Sequence, residues 1–317
     1  VVPGTTVDRQ CGSGQQAIHF AAQGVLSGTQ DLVIAGGVES MSQVPIGASI
    51  IDGVKADHGM PYGQKITERY PGVQFNQFTG AEMLVEKYEL SSQELNEFAL
   101  ASHMKAKQAI EEGRFEREIV AIEVELEDGS LAMHTQDEGV RLDATLGAIS
   151  GLQPMAEGGV LTAANASQIC DGAAAVMIAN GETCKRLGLK PLAIITAMSV
   201  IGSDPVILQE GPIPATKKVL EKAGLGIGDI DLFEVNEAFG SVPLAWAKAV
   251  GADLDRLNVN GGAQALGHPL GGTGAKLMTT LVHELQRTGK RYGLLAICEG
   301  GGTANGTIIE RVDEVAG

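Results

Sequence analysis

The sequence predicts an α/β protein built from two related halves with parallel-rich mixed sheets, the first half being interrupted by an inserted α+β subdomain. Strand and helix patterns alternate through the last third of the chain, which is typical of βαβ units. A strand–turn–helix–strand pattern near the start recurs in that last third. Between about residues 39 and 168 the character of the chain changes, because turn residues, Tyr, Phe and charges become common.

The composition is that of a folded globular chain. It has 317 residues, of which 44% are hydrophobic and 20% charged, and its formal net charge is −16. The acid excess argues against nucleic acid as a partner, and no apolar run reaches the roughly 18 residues that a membrane span needs. Four cysteines in a chain of this length do not make a disulfide framework, and because none sits in a C-x-x-C pair we expect no metal site. The four are Cys11, Cys170, Cys184 and Cys298. The expected location is cytoplasmic.

The first half begins with a strand, a helix and a second strand. Residues 5–9 predict a short strand, and residues 15–26 predict an Ala-rich helix that Gly28 ends. Residues 32–35 predict an apolar strand. Because that strand is apolar on both sides, we expect it to be buried in a parallel sheet.

The inserted block has a helix and a strand of its own. Ser91 and Glu94 form a capping-box pattern before an amphipathic helix, which Gly113 ends. Residues 118–127 alternate between apolar and other side chains, which predicts a half-buried strand. A strand of small residues over 171–179 then returns the chain to the first half.

The last third predicts a second α/β half. Helices are expected at residues 215–223, 242–250 and 274–287. Strands are expected at residues 192–195, 232–235, 257–259, 294–297 and 306–310. The alternation of these elements favours parallel neighbours in the sheet.

A weak internal repeat relates the two halves. Residues 5–9 lead into a Gly-marked turn at Cys11, and residues 257–260 lead into a Gly-rich turn at His268. Each turn precedes a helix and an apolar strand that ends in glycines. Two related halves that face each other would bring both turns to one central site.

Cys11 and His268 are candidate catalytic residues. Cys11 lies just ahead of a helix, where the positive end of the helix dipole would ease ionisation of the thiol; a buried structural cysteine is an equal alternative. His268 lies among six glycines over 261–274, which indicate a special backbone. Its imidazole could act as a base or an oxyanion donor, or it could be an ordinary loop histidine.

Two further strands end in turns that could carry chemistry. Cys298 begins the segment CEGGG at 298–302, whose glycines can present N–H groups to a developing oxyanion. Cys298 could also be an inert buried thiol. Asn236 begins the segment NEAF at 236–239 and could orient a water or a histidine, or simply cap a helix.

Together these segments resemble the thiolase family, that is, the acetyl-CoA acetyltransferases and 3-ketoacyl-CoA thiolases. The Cys11 segment, NEAF, GHP at 267–269 and CEGGG occur in the family order, and the resemblance runs over all 317 residues. It implies an acyltransferase of fatty acid and lipid metabolism. That enzyme would cleave 3-ketoacyl-CoA with CoA, or run the reverse Claisen condensation of acyl-CoA, through an acyl-cysteine intermediate. Coenzyme A is then a substrate, and no resident cofactor is expected.

The resemblance also implies a role for each site residue. Cys11 resembles the nucleophile that is acylated, His268 the residue that activates it, and Cys298 the acid/base at the α-carbon. Asn236 resembles the holder of a water that forms one oxyanion hole with His268. The backbone N–H groups of Cys11 and Gly300 resemble the second oxyanion hole.

The inserted block resembles the lid that holds coenzyme A, and its Ser167 resembles the family's contact to the pantetheine arm. The resemblance divides the chain into the first part of the N-terminal half, the lid, the last strand of the N-terminal half, and the C-terminal half. Their expected bounds are residues 1–38, 39–168, 169–190 and 191–317. It also implies a homodimer or homotetramer, with residues 5–9 near the dimer contact.

Two features depart from the family pattern. The short-chain biosynthetic branch carries His-Met-Gly where this chain has NQF at 76–78, so we expect a broader or bulkier 3-ketoacyl group. Family chains also have two strand–helix units, roughly 60–90 residues, ahead of the strand at 5–9. We therefore expect a gap in the first half-sheet and a chain that is poorly stable or inactive by itself.

Three alternatives compete with this assignment. The serious one is an inactive truncated paralogue that acts as an interaction partner. A papain-type cysteine hydrolase fits QCGS at 10–13. In such enzymes, however, a further Cys and an aromatic residue follow, and the catalytic His precedes the Asn, whereas here Asn236 precedes His268. Decarboxylating ketoacyl synthases usually carry a His where Asn236 stands, and a His or Asn where Cys298 stands.

Overall fold

The computed structural model describes residues 2–312, and within that range the chain forms eleven α-helices and eight β-strands. The helices are α1 (Ser13–Leu26), α2 (Ala48–Lys55), α3 (Gln64–Arg69), α4 (Gln77–Lys87), α5 (Ser92–Glu111), α6 (Leu146–Ser150), α7 (Gly181–Leu187), α8 (Pro212–Ala223), α9 (Ser241–Val250), α10 (Ala263–Leu266) and α11 (Leu270–Thr288). The strands are β1 (Leu32–Ser40), β2 (Ile122–Glu125), β3 (Leu131–His134), β4 (Asp171–Ala179), β5 (Ala193–Gly202), β6 (Leu232–Val235), β7 (Tyr292–Glu299) and β8 (Thr303–Arg311).

The C-terminal half is a mixed four-stranded sheet in the order β5-β8-β7-β6. β6 and β7 run parallel, whereas β7–β8 and β8–β5 are antiparallel pairs. Strands β6 and β7 and most of β8 are buried, as their sequences predict, whereas Ile194 of β5 is 58% exposed. Helix α8 packs on β5 and β8. Trp246 of α9 is fully buried edge-on to Phe233, and its indole N–H donates to the Thr216 hydroxyl at 2.8 Å. The α/β architecture of this half is therefore confirmed, but the expectation of parallel neighbours holds only for β6 and β7. It is wrong for β8, which follows β7 through a tight turn and so pairs antiparallel with it.

The N-terminal half contains β1 and β4, which pair antiparallel with Leu32 opposite Ala179. The expectation that β1 is buried in a parallel sheet is wrong. Helices α1 and α11 cover one face, where Ala35 is buried. On the other face Ile34 and Val38 are 65% and 71% exposed. Within residues 2–312, therefore, only one of the two apolar faces of β1 is packed against other elements.

Two predicted strands do not form. Residues 5–9 are mostly exposed, and their one pairing in the described chain is an isolated bridge from Arg9 to Cys11. Residues 257–259 make only the bridge between Leu257 and Phe233. The physical reason at the second site is Asn258, whose side-chain amide donates to Val235 O and accepts from Val235 N–H, each at 2.9 Å. This side chain takes the place of a backbone ladder.

The inserted block is α-helical with one small hairpin. The Ser91–Glu94 capping box at the start of α5 is confirmed in full. The strand predicted over 118–127 shortens to β2, which pairs antiparallel with β3. Its apolar face is not buried, since Val120 and Ile122 are 83% and 56% exposed. A two-stranded hairpin with no helix packed on it leaves both faces in water.

Helices α1 and α11 cross closely at the centre of the molecule. Ile18 of α1 and Leu281 of α11 belong to the same buried cluster. A Cβ at Gly274 would overlap the backbone N of Gln15, so glycine at this position permits the approach. The crossing sets the N-terminal ends of the two helices side by side, and each end follows one of the predicted catalytic turns. Among residues 2–312, none of the helices has both the length and the apolar character that crossing a membrane requires.

Candidate active site

Cys11 lies in a tight turn directly before α1. The Gly12 N–H donates to the Arg9 carbonyl at 3.1 Å, and the Ser13 hydroxyl accepts from the Arg9 N–H at 2.8 Å. Gln10 adopts a left-handed conformation with φ of 52°. The turn therefore fixes the direction of the Cys11 side chain by backbone hydrogen bonds rather than by strand pairing.

The backbone N–H groups of Cys11 and Gly300 act on the Cys11 sulfur and favour its ionised form, and Gly300 packs against the side chain of Gln10 in the same turn. Loss of solvent around the sulfur, with the negative charge of Glu299 next in size, raises the pKa of Cys11 to about 12. The helix-dipole argument predicted the opposite direction, and desolvation outweighs it. Cys11 therefore needs a base to form its thiolate.

His268 lies between α10 and α11 and is buried. Its Nδ1 is 2.6 Å from the Thr273 hydroxyl, which itself donates to the Pro269 carbonyl at 2.9 Å. Because that hydroxyl has a single proton, the network assigns the imidazole proton to Nδ1 and leaves a lone pair on Nε2. Burial, with the charge of Lys276 next, lowers the pKa of His268 to about 3. The imidazole is thus neutral and presents Nε2 as an acceptor.

Asn236 follows β6 and faces that imidazole. Its Nδ2 is 3.3 Å from His268 Nε2, and its backbone N–H donates to the Ala296 carbonyl of β7 at 3.1 Å. The cap of α9 is Gly240, so the helix-cap interpretation of Asn236 is wrong. Oδ1 of Asn236 is buried without a protein partner. A buried amide oxygen of this kind is suited to hold a water or a substrate group.

Cys298 is the penultimate residue of β7, and only 2% of it is exposed. It packs in an apolar cluster that also contains Ala238 and Phe239 of the NEAF segment. Burial first, and then the charges of Cys11 and Glu299, raise the pKa of Cys298 well above its ordinary value. The two thiols are therefore close enough to interact electrically.

The two groups of candidate residues lie in adjacent turns. Cys11, Cys298 and Gly300 meet around the Cys11 sulfur, while Asn236 and His268 form a pair. The backbone of Gly271, three residues after His268, lies against Gly14 at the start of α1. The fold thus brings the Cys11 turn into backbone contact with the turn that follows His268, and the assignment of all five residues to one catalytic site stays a prediction.

Ser167 lies beside the same region. Its N–H donates to the Ala238 carbonyl at 3.0 Å, and Ala166 bridges to Phe239. Ser167 is half-buried. The segment that the resemblance associates with pantetheine thus runs along NEAF, next to the paired Asn236 and His268.

Sequence reasoning missed several side chains that support the site. Thr273 fixes the His268 ring, and its only signal is its place in the Gly-rich run. The buried Glu237 accepts from Ser102 Oγ at 2.7 Å and from Asn258 Nδ2 at 2.8 Å, joining α5 to the C-terminal half. Glu299 forms an ion pair with Arg9, although the CEGGG segment had suggested only its glycine N–H groups.

The described residues contain no cluster of three or more His, Cys, Asp or Glu side chains that could hold a metal ion. The polar atoms of the site are instead directed at one another, at backbone groups and at the Cys11 sulfur. This arrangement suits proton transfer to and from a thiol, with N–H donors aimed at an oxygen that becomes negatively charged.

Comparisons with known proteins agree with this geometry. Sequence models of the thiolase N-terminal domain and the thiolase C-terminal domain match residues 1–182 and 189–311. A steroid 3-ketoacyl-CoA thiolase of Mycobacterium tuberculosis is 51% identical over 98% of this chain and 75% of that protein. An acetyl-CoA acetyltransferase of Chromobacterium violaceum is 41% identical over 98% of this chain and 80% of that protein.

Two solved structures are similar to the fold. Human mitochondrial 3-ketoacyl-CoA thiolase gives a TM-score of 0.87 at 36% identity, covering 98% of this chain and 79% of that one. The acetyl-CoA acetyltransferase of Bacillus anthracis gives a TM-score of 0.85 at 38% identity with the same two coverages. The predicted fold class, a pair of related α/β halves with mixed sheets, is therefore confirmed.

Proposed function

The chain belongs to the thiolase family and is a thiolase-type acyl-CoA acyltransferase, and we propose that it works through an acyl group carried on Cys11. The observation that supports this proposal is that the segment from Cys298 to Gly300 packs against the Cys11 turn, with Glu299 against Gly12 and Gly300 against Gln10. His268, Cys298, Asn236 and Gly300 are its proposed catalytic groups. In the thiolysis direction the proposed reaction has three steps, and the condensation is its reverse.

In the first step the neutral His268 takes the Cys11 proton on Nε2. The thiolate attacks the keto carbon of 3-ketoacyl-CoA, and the carbonyl oxygen becomes negatively charged. The N–H groups of Cys11 and Gly300, which converge on the sulfur, are proposed to stabilise that oxyanion. Their fixed backbone positions support this role, since little reorganisation is needed when the charge develops.

In the second step the bond between the α-carbon and the former keto carbon breaks, and its electron pair stays on the α-carbon. Cys298 donates its proton there, and acetyl-CoA leaves. The raised pKa of Cys298 keeps the thiol protonated and available as an acid. His268 and the amide of Asn236 lie together, where they could stabilise the enolate oxygen.

In the third step incoming CoA gives its thiol proton to the Cys298 thiolate and attacks the acyl-Cys11 thioester. Acyl-CoA is released, and the Cys11 thiolate recovers its proton from His268. Cys11, His268 and Cys298 are then back in their starting protonation states, and the CoA thiol proton has replaced the one that left with acetyl-CoA. Coenzyme A enters as a substrate, and the cycle uses no redox change or resident cofactor.

The acyl-cysteine proposal is tested by trapping the intermediate. Unaltered protein incubated with 3-ketoacyl-CoA in the absence of CoA is expected to gain the mass of the acyl group on the peptide that contains Cys11. Cys11→Ala should gain none and lose at least about a thousandfold in turnover. Cys184→Ala, which changes a thiol on α7, is the control with normal turnover. An acyl group found elsewhere, or an active Cys11→Ala, would refute the assignment.

The same assay addresses the alternative of an inactive paralogue. Protein that unfolds cooperatively but neither becomes acylated nor cleaves any 3-ketoacyl-CoA would favour an interaction partner over an enzyme.

This chain covers 75–80% of the length of the two relatives named above. The expected homodimer or homotetramer and the cytoplasmic location stay predictions, and light scattering of the purified chain measures the first of them.

We also propose that the acyl group is bulkier than acetyl, ring-bearing or branched. A cavity of about 270 Å³ opens beside α4, lined by Phe78 and by Met155 and Leu161 on the facing segment. Phe78 contacts Phe239 edge-on, and Leu161 shares the apolar cluster of Cys298, so the cavity adjoins the site. One similar protein is named a steroid 3-ketoacyl-CoA thiolase.

This substrate proposal is tested by comparing two thioesters. A 3-ketoacyl-CoA with a cyclic or branched acyl group should have a kcat/KM at least about tenfold above that of acetoacetyl-CoA, because its additional apolar carbons enter the cavity. Phe78→Ala should change this ratio more than it changes the rate with acetoacetyl-CoA. A preference for acetoacetyl-CoA would refute it without affecting the acyl-cysteine proposal.

A further inference from the structure

Arg9 and Glu299 form an ion pair that joins the two turns of the site. Arg9 Nε lies 2.7 Å from Glu299 Oε2, and the Thr303 hydroxyl donates to the same oxygen at 2.6 Å. The Glu299 side chain is fully buried, whereas that of Arg9 is 27% exposed. Oε1 of Glu299 has no partner in the protein. Burying an ionised carboxylate costs free energy unless a cation pairs with it, and Arg9 is the cation that pairs with Glu299.

The pair connects the nucleophile turn to the segment that carries the second thiol. Arg9 lies two residues before Cys11, and Glu299 lies between Cys298 and Gly300. The Glu299 carboxyl rests directly on the Cα of Gly12, so that a Cβ at Gly12 would overlap it. A side chain at position 12 would displace the Glu299 carboxyl, and the two turns are packed against each other through this contact.

The position of Glu299 determines where the Gly300 N–H points. The peptide that joins Glu299 to Gly300 carries this N–H, which acts on the Cys11 sulfur, and Gly300 lies against the side chain of Gln10 in the nucleophile turn. A displacement of the Glu299 backbone therefore moves a hydrogen-bond donor of the site directly. Thr303, at the start of β8, and Arg9 hold the carboxylate from two sides.

The pair also controls the charge that the Cys11 sulfur experiences. Two carboxylates act on that sulfur and oppose its ionisation, Glu299 more strongly than Glu39, and Cys298 is the neighbouring thiol. Burial raises the pKa of Glu299, and the Thr303 hydroxyl and the Arg9 guanidinium both oppose that rise. Arg9 and the Cys11 sulfur thus both interact with the same carboxylate.

We propose that Arg9 and Glu299 are a positioning pair for acyl transfer, which holds the Gly300 N–H on the Cys11 sulfur and sets the net charge next to it. This inference rests on the proposed role of Cys11 as the nucleophile. Neither side chain needs to touch the substrate in this role, since both act through the Cys11 turn and through Gly300.

The test combines turnover with the pH dependence of Cys11 alkylation by iodoacetamide. Glu299→Gln keeps the shape and an acceptor for Thr303 but removes the negative charge. We expect kcat to fall about tenfold or more with KM changed less than about twofold, because the donor is no longer held in place. Alkylation should nevertheless begin at lower pH, because the thiolate loses a neighbouring anion.

Arg9→Gln is expected to lower kcat as well, but to move alkylation to higher pH, because Glu299 then lacks its cation. Arg9→Lys keeps the charge and should recover part of the turnover. A merely structural contact predicts that both variants shift alkylation in the same direction. That result, or Glu299→Gln with unchanged turnover and alkylation, would overturn the proposal. Should Glu299→Gln fold poorly, the test is whether Arg9→Lys recovers the turnover and the alkylation pH that Arg9→Gln loses, since Arg9 is partly exposed and tolerates substitution.

A second arginine–glutamate pair provides the matched control. Arg291 Nε lies 2.7 Å from Glu310 Oε1, away from the site at the other end of β7 and β8. Arg291→Gln and Glu310→Gln should leave kcat and Cys11 alkylation unchanged. If Cys11→Ala is inactive while the Arg9 and Glu299 variants behave as the unaltered protein, only this inference fails. If Cys11→Ala retains turnover, the proposed function fails.

Discussion

The protonation of His268 depends on one neighbouring hydroxyl. Thr273 has a single proton, which goes to Pro269 O, so it can only accept from the imidazole Nδ1. Nε2 is left as an acceptor that faces the amide of Asn236. One threonine five residues after the histidine therefore decides which nitrogen can take a proton from a thiol.

Replacing that hydroxyl should affect catalysis more than folding. Thr273→Val keeps the shape but removes the acceptor, and we expect kcat to fall about 10- to 100-fold, as for other partners that orient a reacting histidine. Thr273→Ser should retain most of the activity. Thr279→Val removes a similar hydroxyl bond, to Ala275 O, in the same helix and should leave kcat unchanged. Steady-state kinetics measure all three, and equal kcat losses in the two valine variants would contradict the assignment.

At the scale of elements, the crossing of α1 and α11 places the catalytic turns. Both helices begin just after a turn that carries a candidate catalytic residue, and their N-terminal ends are in backbone contact. In the sequence, the small residues of these helices show only as an Ala- and Gly-rich composition. In the structure, those that face the other helix allow the two helices to approach closely.

A methyl group at this crossing should be harmful even though alanine favours helices. Gly274→Ala would overlap the backbone of Gln15, so we expect a loss of roughly 1–3 kcal/mol in the free energy of unfolding and reduced kcat. Gly53 lies in α2 with nothing within 4 Å of an added Cβ. Gly53→Ala should be neutral or stabilise by up to about 1 kcal/mol. Urea unfolding compares the two, and a stabilising Gly274→Ala would contradict the packing argument.

At the scale of the whole molecule, Glu118 connects the inserted block to the C-terminal half. Its carboxylate accepts from Thr280 of α11 at 2.9 Å. Burial raises the pKa of Glu118 from 4.5 to about 7. The folded protein therefore holds a proton that the unfolded chain releases between these values, and stability falls as pH rises through that range.

Glu118→Gln should remove this pH dependence and keep an acceptor for Thr280. We expect the variant to gain stability relative to the unaltered protein as pH rises from 4.5 to 8, by about 2 kcal/mol. Glu116→Gln, at an exposed carboxylate nearby, controls for the change in net charge. Urea unfolding at several pH values measures the difference, and a gain that is equal at pH 4.5 and pH 8 would argue against a titrating Glu118.

The elements that the sequence predicted well are those with strong local signals. The Ser91–Glu94 capping box and the apolar runs of β6 and β7 are local patterns, and each forms as expected. The strands expected at 5–9 and 257–259 failed, because pairing depends on a partner that a local pattern does not contain. At 257–259 that partner was replaced by the Asn258 side chain, which no periodicity reveals.

The sequence by itself determined the order of the chemical segments, and with it the thiolase family, since four short motifs at fixed places are independent of packing. Only the tertiary structure decided that the pKa of Cys11 is raised and not lowered. Desolvation of the sulfur and the charge of Glu299 outweigh the local helix dipole, and Glu299 lies 288 positions away along the chain. The Nδ1 proton of His268 and the Arg9–Glu299 pair likewise depend on which side chains fold against each other. Burial and charge act through distances in space, and these are set by the crossing of α1 and α11 rather than by separation along the chain.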